Sequence, residues 1–570
     1  MKKAIERLSG LKKFVIIGGI VWRVGAVDAA APLQVNTWDI DLALSAGIHC
    51  MSNIMNPNDR NIPYFECLVL INTPMMRFNP TYSVQNVVGR SLYAILKAAD
   101  VIGVTPDPGV VSKYRTILLD SYQLERGIPA GPHYLGGPYT DVWTFLAHCG
   151  FRGMLGMWQY QGDTTTRQYF DDGLLNLKNY FFDPGFSWQA YQQQFGLVGG
   201  GTGGSVAWPG PNVYNLESFF DSKYLVRYHA ASGNQLALDM ATTFGTFLLT
   251  FYFPADGNIA GYDHMYRCML HMTDLAEIAI ATSNSLMMER VRARYDNGVR
   301  AVSSPGTGWV PERLSQHSDV GEINNTGEMA ETALRLAEWG WTQYYEDAER
   351  FTRAHLLPAQ LLDISFVNPS PDPPPSDGYA RVRERVRGAY GFPAPYGHLS
   401  TINPYLNGAF YMDIVGGGIA SLAEVKTHCC KHTGEGHFVN LLFNYEDSQI
   451  KVIGPYPDDT PVYVTLKTPG DLQVRLPSWV DRAKVSVTID GMGAPFSLTP
   501  YYLKITAPPI GKRIDVRIML EMRYTTEVIN GRSVRILWKG DSIAAMNQMG
   551  TSLPYFPEIP TNADDFQYYE

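Results

Sequence analysis

From about residue 35 to residue 360, apolar positions recur with the three-to-four-residue spacing of helices that bury one face. The clearest stretches are 87–100, 236–253, 264–296 and 327–357, separated by connections rich in Gly, Pro and Asn. The run 247–253 is nearly all apolar, which predicts a helix buried on most sides, such as an inner helix of a toroid. Two stretches interrupt the pattern, the Gly-rich 199–211 and the Pro- and Asp-rich 368–378, and both read as long loops. In a toroid of helical hairpins such loops gather at one mouth.

After Gly436 the helical period gives way to alternation. The segments 438–443, 450–453, 461–467, 472–476, 484–489, 501–505, 513–520 and 533–538 are strand-like, and eight short strands at that spacing predict a sandwich. The expected fold is mainly α with C-terminal β: an (α/α)6 toroid over residues 32–436, followed by a β-sandwich domain over 437–570.

Composition narrows the picture. The chain has 570 residues with 45% hydrophobic content, enough for two or three cores. Its formal net charge of -9, with no long basic run, argues against a nucleic-acid partner, whose binding rests on basic patches. Aromatic residues make up 12%, with 34 Tyr and 11 Trp, a supply suited to covering sugar rings and equally to ordinary cores. The first residues carry Lys2, Lys3, Arg7, Lys12 and Lys13, then an apolar run 14–22, then small residues at 29–31. This predicts a signal peptide over 1–31 and a secreted or periplasmic protein, with Arg23 leaving an uncleaved leader open. The run is too short to span a bilayer, so stable membrane insertion is not expected. Nothing in the sequence opposes a homodimer.

Six Cys in an exported chain of this size do not make a disulfide scaffold. Cys50, Cys67, Cys149 and Cys268 are scattered and are either thiols or bridges. Cys429 and Cys430 are adjacent and poorly placed to bridge one another. They read either as a thiolate or metal pair or as buried structural thiols.

Candidate chemistry concentrates in 309–350. Glu312, Asp319, Glu322, Glu328 and Glu331 fall within twenty residues at a helix entrance, and a glycoside hydrolase needs two such groups: one protonates the leaving oxygen, the other attacks or activates water. The plainer alternative is that early acids complement the helix dipole and later ones face solvent. His317 lies in the same stretch. His264, Cys268 and His271 share one helix face at metal-binding spacing, although a polar patch on an inner helix explains them as well. His133 and His229 sit in surroundings that suit sugar contacts or an ordinary structural role, and Glu435 serves the turn into the sandwich.

The stretch Glu322-Ile-Asn324-Asn-Thr326, with Leu336, Glu338-Trp339 and Tyr345-Glu-Asp347 behind it, resembles an element of the β-L-arabinofuranosidases of glycoside hydrolase family 127. So do the doublet Cys429-Cys430, the strand Val474-Arg-Leu-Pro-Ser-Trp479, the segment Val485 to Gly491 and the turn Trp538-Lys-Gly-Asp541. The resemblance spans roughly residues 305–541. It implies a zinc site held by Glu322, Cys429 and Cys430, with Cys429 attacking the anomeric carbon and Glu312 as the acid/base. Asn324 stands where that family places a further metal cysteine, and an amide oxygen is a poorer zinc ligand than a thiolate. His428 and His432 flank the doublet and are the residues that would complete a Cys/His/Glu set. Asn324, His317, His428, His432, His133 and His229 are the expected sugar contacts. The implied substrate is a terminal arabinofuranoside or related sugar of a plant or algal polysaccharide. Two alternatives stay open: a polysaccharide lyase on the same architecture, and a non-catalytic glycan-binding relative.

Overall fold

The computed structural model describes residues 30–123, 127–142, 147–181, 193–194, 221–259, 261–315, 319–399, 409–549 and 552–559. Residues 1–29, the loop expected at 199–211 and His317 lie outside them. No helix among the described residues is long and apolar enough to cross a membrane.

Twelve helices of eight residues or more occur among the described residues: α1 (Ile40–Asn53), α2 (Val87–Val101), α3 (Pro108–Ser121), α4 (Ala147–Gln161), α5 (Thr164–Phe181), α6 (Ser222–Ser232), α7 (Gln235–Phe251), α8 (Met265–Thr282), α9 (Ser285–Ala293), α10 (Ile323–Glu338), α11 (Tyr344–Phe351) and α12 (Met412–Thr427). The even-numbered ones form an inner ring and all run the same way. Their side chains meet in ascending register. Lys223 of α6 meets Glu328 of α10 at 2.7 Å, and Arg227 meets Glu331 at 3.2 Å. Arg335 of α10 meets Glu424 of α12 at 2.9 Å, and Glu338 meets His428 just beyond α12 at 3.1 Å. Gly89 of α2 lies against Cys149, Gly150 and Gly153 of α4, and Lys97 pairs with Glu424. The odd-numbered helices pack outside, so the helical domain is an (α/α)6 toroid.

Two details of the helix reading change. The run 264–296 is two helices, because Ser283 takes a left-handed turn (φ 52°) and Asn284 accepts the N–H of Met287 to start the next. The run 327–357 likewise breaks at Gly340, whose φ of 120° favours glycine. The apolar 247–253 segment ends an outer helix, not an inner one: Phe247 and Leu248 are buried, whereas Thr246, Thr250 and Phe251 face solvent.

The strand region opens at Cys430. In chain order its strands are β1 (Cys430–Thr433), β2 (Gly436–Val439), β3 (Tyr445–Glu446), β4 (Ile450–Ile453), β5 (Val462–Leu466), β6 (Leu472–Arg475), β7 (Ser486–Ile489), β8 (Met492–Gly493), β9 (Ser497–Leu498), β10 (Tyr502–Ile505), β11 (Arg513–Arg517), β12 (Met522–Ile529), β13 (Arg532–Lys539) and β14 (Ser542–Met546). One sheet has the order β3-β4-β5-β11-β7-β8 and the other β9-β10-β6-β2-β1, with β2 and β6 parallel. Their inner faces share a core of Val, Leu and Ile that includes Val439, Val464, Val474 and Leu503. The ribbon β12-β13-β14 is separate, and Ile529, Val534, Ile536 and Trp538 join the helical core instead.

Candidate active site

Because the inner helices are parallel, six N-termini converge on one mouth. The first residues there are Asn86 before α2, Asp221 before α6, His264 before α8, Glu322 before α10, and Asp413 in the first turn of α12. Partial positive charge at helix N-termini favours carboxylates in such places. The segment carrying Glu312 is laid across the ends of α8 and α10. The N–H of Met265 donates to the Glu312 carbonyl at 2.8 Å, and the Glu312 N–H donates to the Val320 carbonyl at 2.8 Å. The Asn325 amide donates to the Pro311 carbonyl at 3.2 Å.

This docking brings three groups together. One oxygen each of Glu312 and Glu322 and a ring nitrogen of His264 all lie within 4.8 Å of one another, half-buried. His264 Nε2 stands 3.2 Å from Glu322 Oε1. Burial opposes charge on this imidazole, but the hydrogen bond and charge of Glu322, with the charge of Glu312 behind it, raise its pKa above the ordinary value. Beside Glu322, Asp413 is pushed up by burial, drawn down by Arg90 and pushed up again by Glu322. An aromatic wall borders the acids: Phe65 stacks on Tyr82 at 4.8 Å and on the other side meets Tyr411 at 4.8 Å. The Tyr82 phenol is pushed up by burial and then by the charges of Asp413 and Glu322.

The cysteine doublet does not join this group. Cys429 and Cys430 follow the far end of α12, which at 16 residues puts them about 24 Å from its first turn, at 1.5 Å per residue. Cys429 is fully buried in the helical core and Cys430 in the sandwich core. Burial pushes the Cys429 thiol up to about 12 and that of Cys430 well above its ordinary value, so neither is a ready thiolate. All six cysteines at described positions are free. Asn324 is 2% exposed with neither amide atom partnered among the described residues, and lies against Gly417 of α12. The residues present therefore do not fit the zinc site that the resemblance implies. His264, Glu312 and Glu322 are themselves a set of nitrogen and oxygen donors close enough to hold a cation.

The other expected contacts scatter. His428 sits at the opposite mouth with Glu338, on a cavity of about 700 Å³ that also includes Tyr93, Tyr160 and Arg227. His432 is on the sandwich, where its ring meets Asp447 and His437, each at 2.8 Å. His229 turns back to the Asn234 carbonyl at 3.1 Å. His133 is exposed at the end of the hairpin strand Ala130–Pro132. Of the remaining acids, Glu328 and Glu331 are buried on Lys223, and Asp319 accepts from the Tyr396 hydroxyl at 3.0 Å. Cys268 and His271 point into the core, with His271 against the Tyr262 hydroxyl at 2.8 Å. His264 leaves them for Glu322. The sequence offers both halves of that pair without joining them.

Taken whole, the fold is an (α/α)6 toroid carrying a β-sandwich. Solved structures share it. A glycoside hydrolase family 127 β-arabinofuranosidase superposes with a TM-score of 0.56 at 12% identity, covering 90% of this chain and 83% of its own. A glycoside hydrolase gives 0.53 at 12% identity, covering 86% and 84%. A family 127 β-L-arabinofuranosidase from Geobacillus stearothermophilus T6 gives 0.51 at 11% identity, covering 88% and 80%. No protein-family model and no curated protein matches the sequence.

Proposed function

We propose that this chain is an exported glycoside hydrolase that removes a terminal arabinofuranoside or related sugar from plant or algal polysaccharide. The observation that carries the reading is the meeting of Glu312, Glu322 and His264 at the N-terminal mouth. Glu312 is the acid that protonates the leaving oxygen. Glu322 is the carboxylate that attacks the anomeric carbon, held in place by His264 at its side. Carboxyl groups this close leave no room for an intervening water and suit retention of configuration. Cys429 takes no part in this scheme, because it is sealed in the core at the other end of α12. The likeness to family 127 structures supports the fold on which the reading rests, and the basic, apolar, small-residue leader supports export.

The test is a screen of aryl glycosides with two variants. Glu312→Gln lowers turnover of poor-leaving-group substrates by about 100-fold or more, and a nitrophenyl leaving group restores much of it because protonation is no longer needed. Glu322→Gln loses turnover on both kinds of substrate. Wild-type rates in both variants, or no glycoside cleaved by the wild type, overturn the reading.

A further inference from the structure

α2 and α12 approach closely at the mouth: a side chain on Gly416 would come within 3.0 Å of the Arg90 Cβ. Arg90 and Asp413 therefore stand side by side at the helix ends, and each is only half used. Asp413 Oδ2 accepts from the Asn86 amide at 2.9 Å, and its Oδ1 has no partner among the described residues. Arg90 donates from Nε to Cys149 Sγ at 3.4 Å, and its guanidinium lies over the Tyr266 ring at 5.3 Å. Its Nη1 has no partner among the described residues, although the side chain is only 4% exposed. Cys149 in turn donates to Asn86 Oδ1 at 3.1 Å. This relay fixes the spent sides of both groups and leaves one donor and one acceptor over.

A buried guanidinium and a neighbouring carboxylate normally satisfy each other, since an unmade hydrogen bond to a buried charge costs several kcal/mol. Here each feels the other's charge, yet no ion pair joins them among the described residues. A hydroxyl group satisfies both, because it donates to a carboxylate and accepts from a guanidinium at once. Asp413 and Glu322 stand at the N-terminal ends of α12 and α10 and feel each other's charge, so the open pair belongs to the same mouth as the carboxylates.

We propose that Arg90 and Asp413 form a hydroxyl clamp for the terminal sugar, with Asp413 Oδ1 accepting from and Arg90 Nη1 donating to ring hydroxyls, so that the site selects a non-reducing sugar with those hydroxyls free. The inference rests on the glycosidase reading. In Asp413→Asn, the amide oxygen keeps the Asn86 contact and turns the open acceptor into a donor, while Arg90→Lys shortens the open donor.

The experiment begins with wild-type protein, a nitrophenyl glycoside that it cleaves, starting with the β-L-arabinofuranoside, and the corresponding monodeoxy analogues. At least one analogue loses 10- to 100-fold in kcat/KM. Asp413→Asn and Arg90→Lys, checked for native melting behaviour, raise KM by about tenfold or more on the parent substrate and bring it to the level of that analogue, whose own kinetics barely change. Ligand-observed NMR with the free sugar and its deoxy form separates the two claims. Sugar binding that is lost in Asp413→Asn while no glycoside is hydrolysed would retain the clamp and sink the hydrolase. Hydrolysis with no sensitive deoxy position sinks the clamp, even if neither variant folds, and so does hydrolysis with parent and analogue equally affected by the variants.

Discussion

Cys429 and Cys430 are neighbours in sequence but line different cores, one helical and one in the sandwich. Their value lies in filling volume, which leads to a residue-scale expectation. Cys429→Ala lowers stability by about 1 kcal/mol through the lost buried sulfur and leaves kcat/KM unchanged within error; a collapse of turnover in a variant that melts normally would restore the thiolate. A second expectation concerns His355, which is buried with Nε2 unpartnered among the described residues. Burial alone drives its pKa down to about 3 from an ordinary 6.5. The neutral ring is the form the fold accepts, so its contribution is complete above pH 6.5. It is lost as pH falls from there toward 3, at up to about 1.4 kcal/mol per pH unit from this group. Chemical denaturation of His355→Leu at several pH values shows a shallower acid limb than wild type; identical limbs exclude the assignment.

At the scale of elements, the 3.6-residue period locates helices well but does not say where one ends and the next begins. Ser283 and Gly340 turn the chain in the left-handed region, and the amphipathic pattern runs on through both turns because inner and outer helices each bury a face. The eight segments expected from alternation all carry strands, whereas β1, β3, β8, β9, β12 and β14 fall outside them, and β12 is the longest of these. Its outward residues Met522, Tyr524 and Val528 are apolar and exposed, so polarity does not mark the buried face. The closeness of inner helices depends on glycine. A side chain at Gly89 would collide with the Cys149 carbonyl on α4. Gly89→Ala accordingly destabilises the protein by about 1–3 kcal/mol or more, measured as a lower denaturant midpoint with an unchanged slope.

Over the whole molecule, six parallel helices give the toroid two unlike ends. Acids stand at the N-terminal mouth, and Lys97, Arg227 and Arg335 lie toward the other end, as helix dipoles favour. Between them a buried network joins Lys223 to Glu328 and Glu331 and joins Arg227 to Glu277, Glu331 and Glu424. Burial opposes charge on Glu331, but Lys223 and Arg227 bring its pKa down to about 2. Removing one member leaves its partners uncompensated. Lys223→Met therefore costs about 3–5 kcal/mol, and the joint replacement of Lys223 and Glu328 by Met recovers part of the loss; equal losses in the two variants would show that the pairing is not what matters. The sequence by itself determined the class of each half, because periodicity is a local property that follows from helix and strand geometry. It also supplied Glu312, Glu322 and His264 as candidates, one by one. Tertiary structure alone decided that His264 belongs with Glu322, that Cys429 does not, and that Arg90 and Asp413 stand beside the pair. Those choices depend on which helix ends share a mouth, and that is set by the parallel closure of distant elements, such as Asn86 and Asp413 at 327 residues apart, a distance no local pattern encodes.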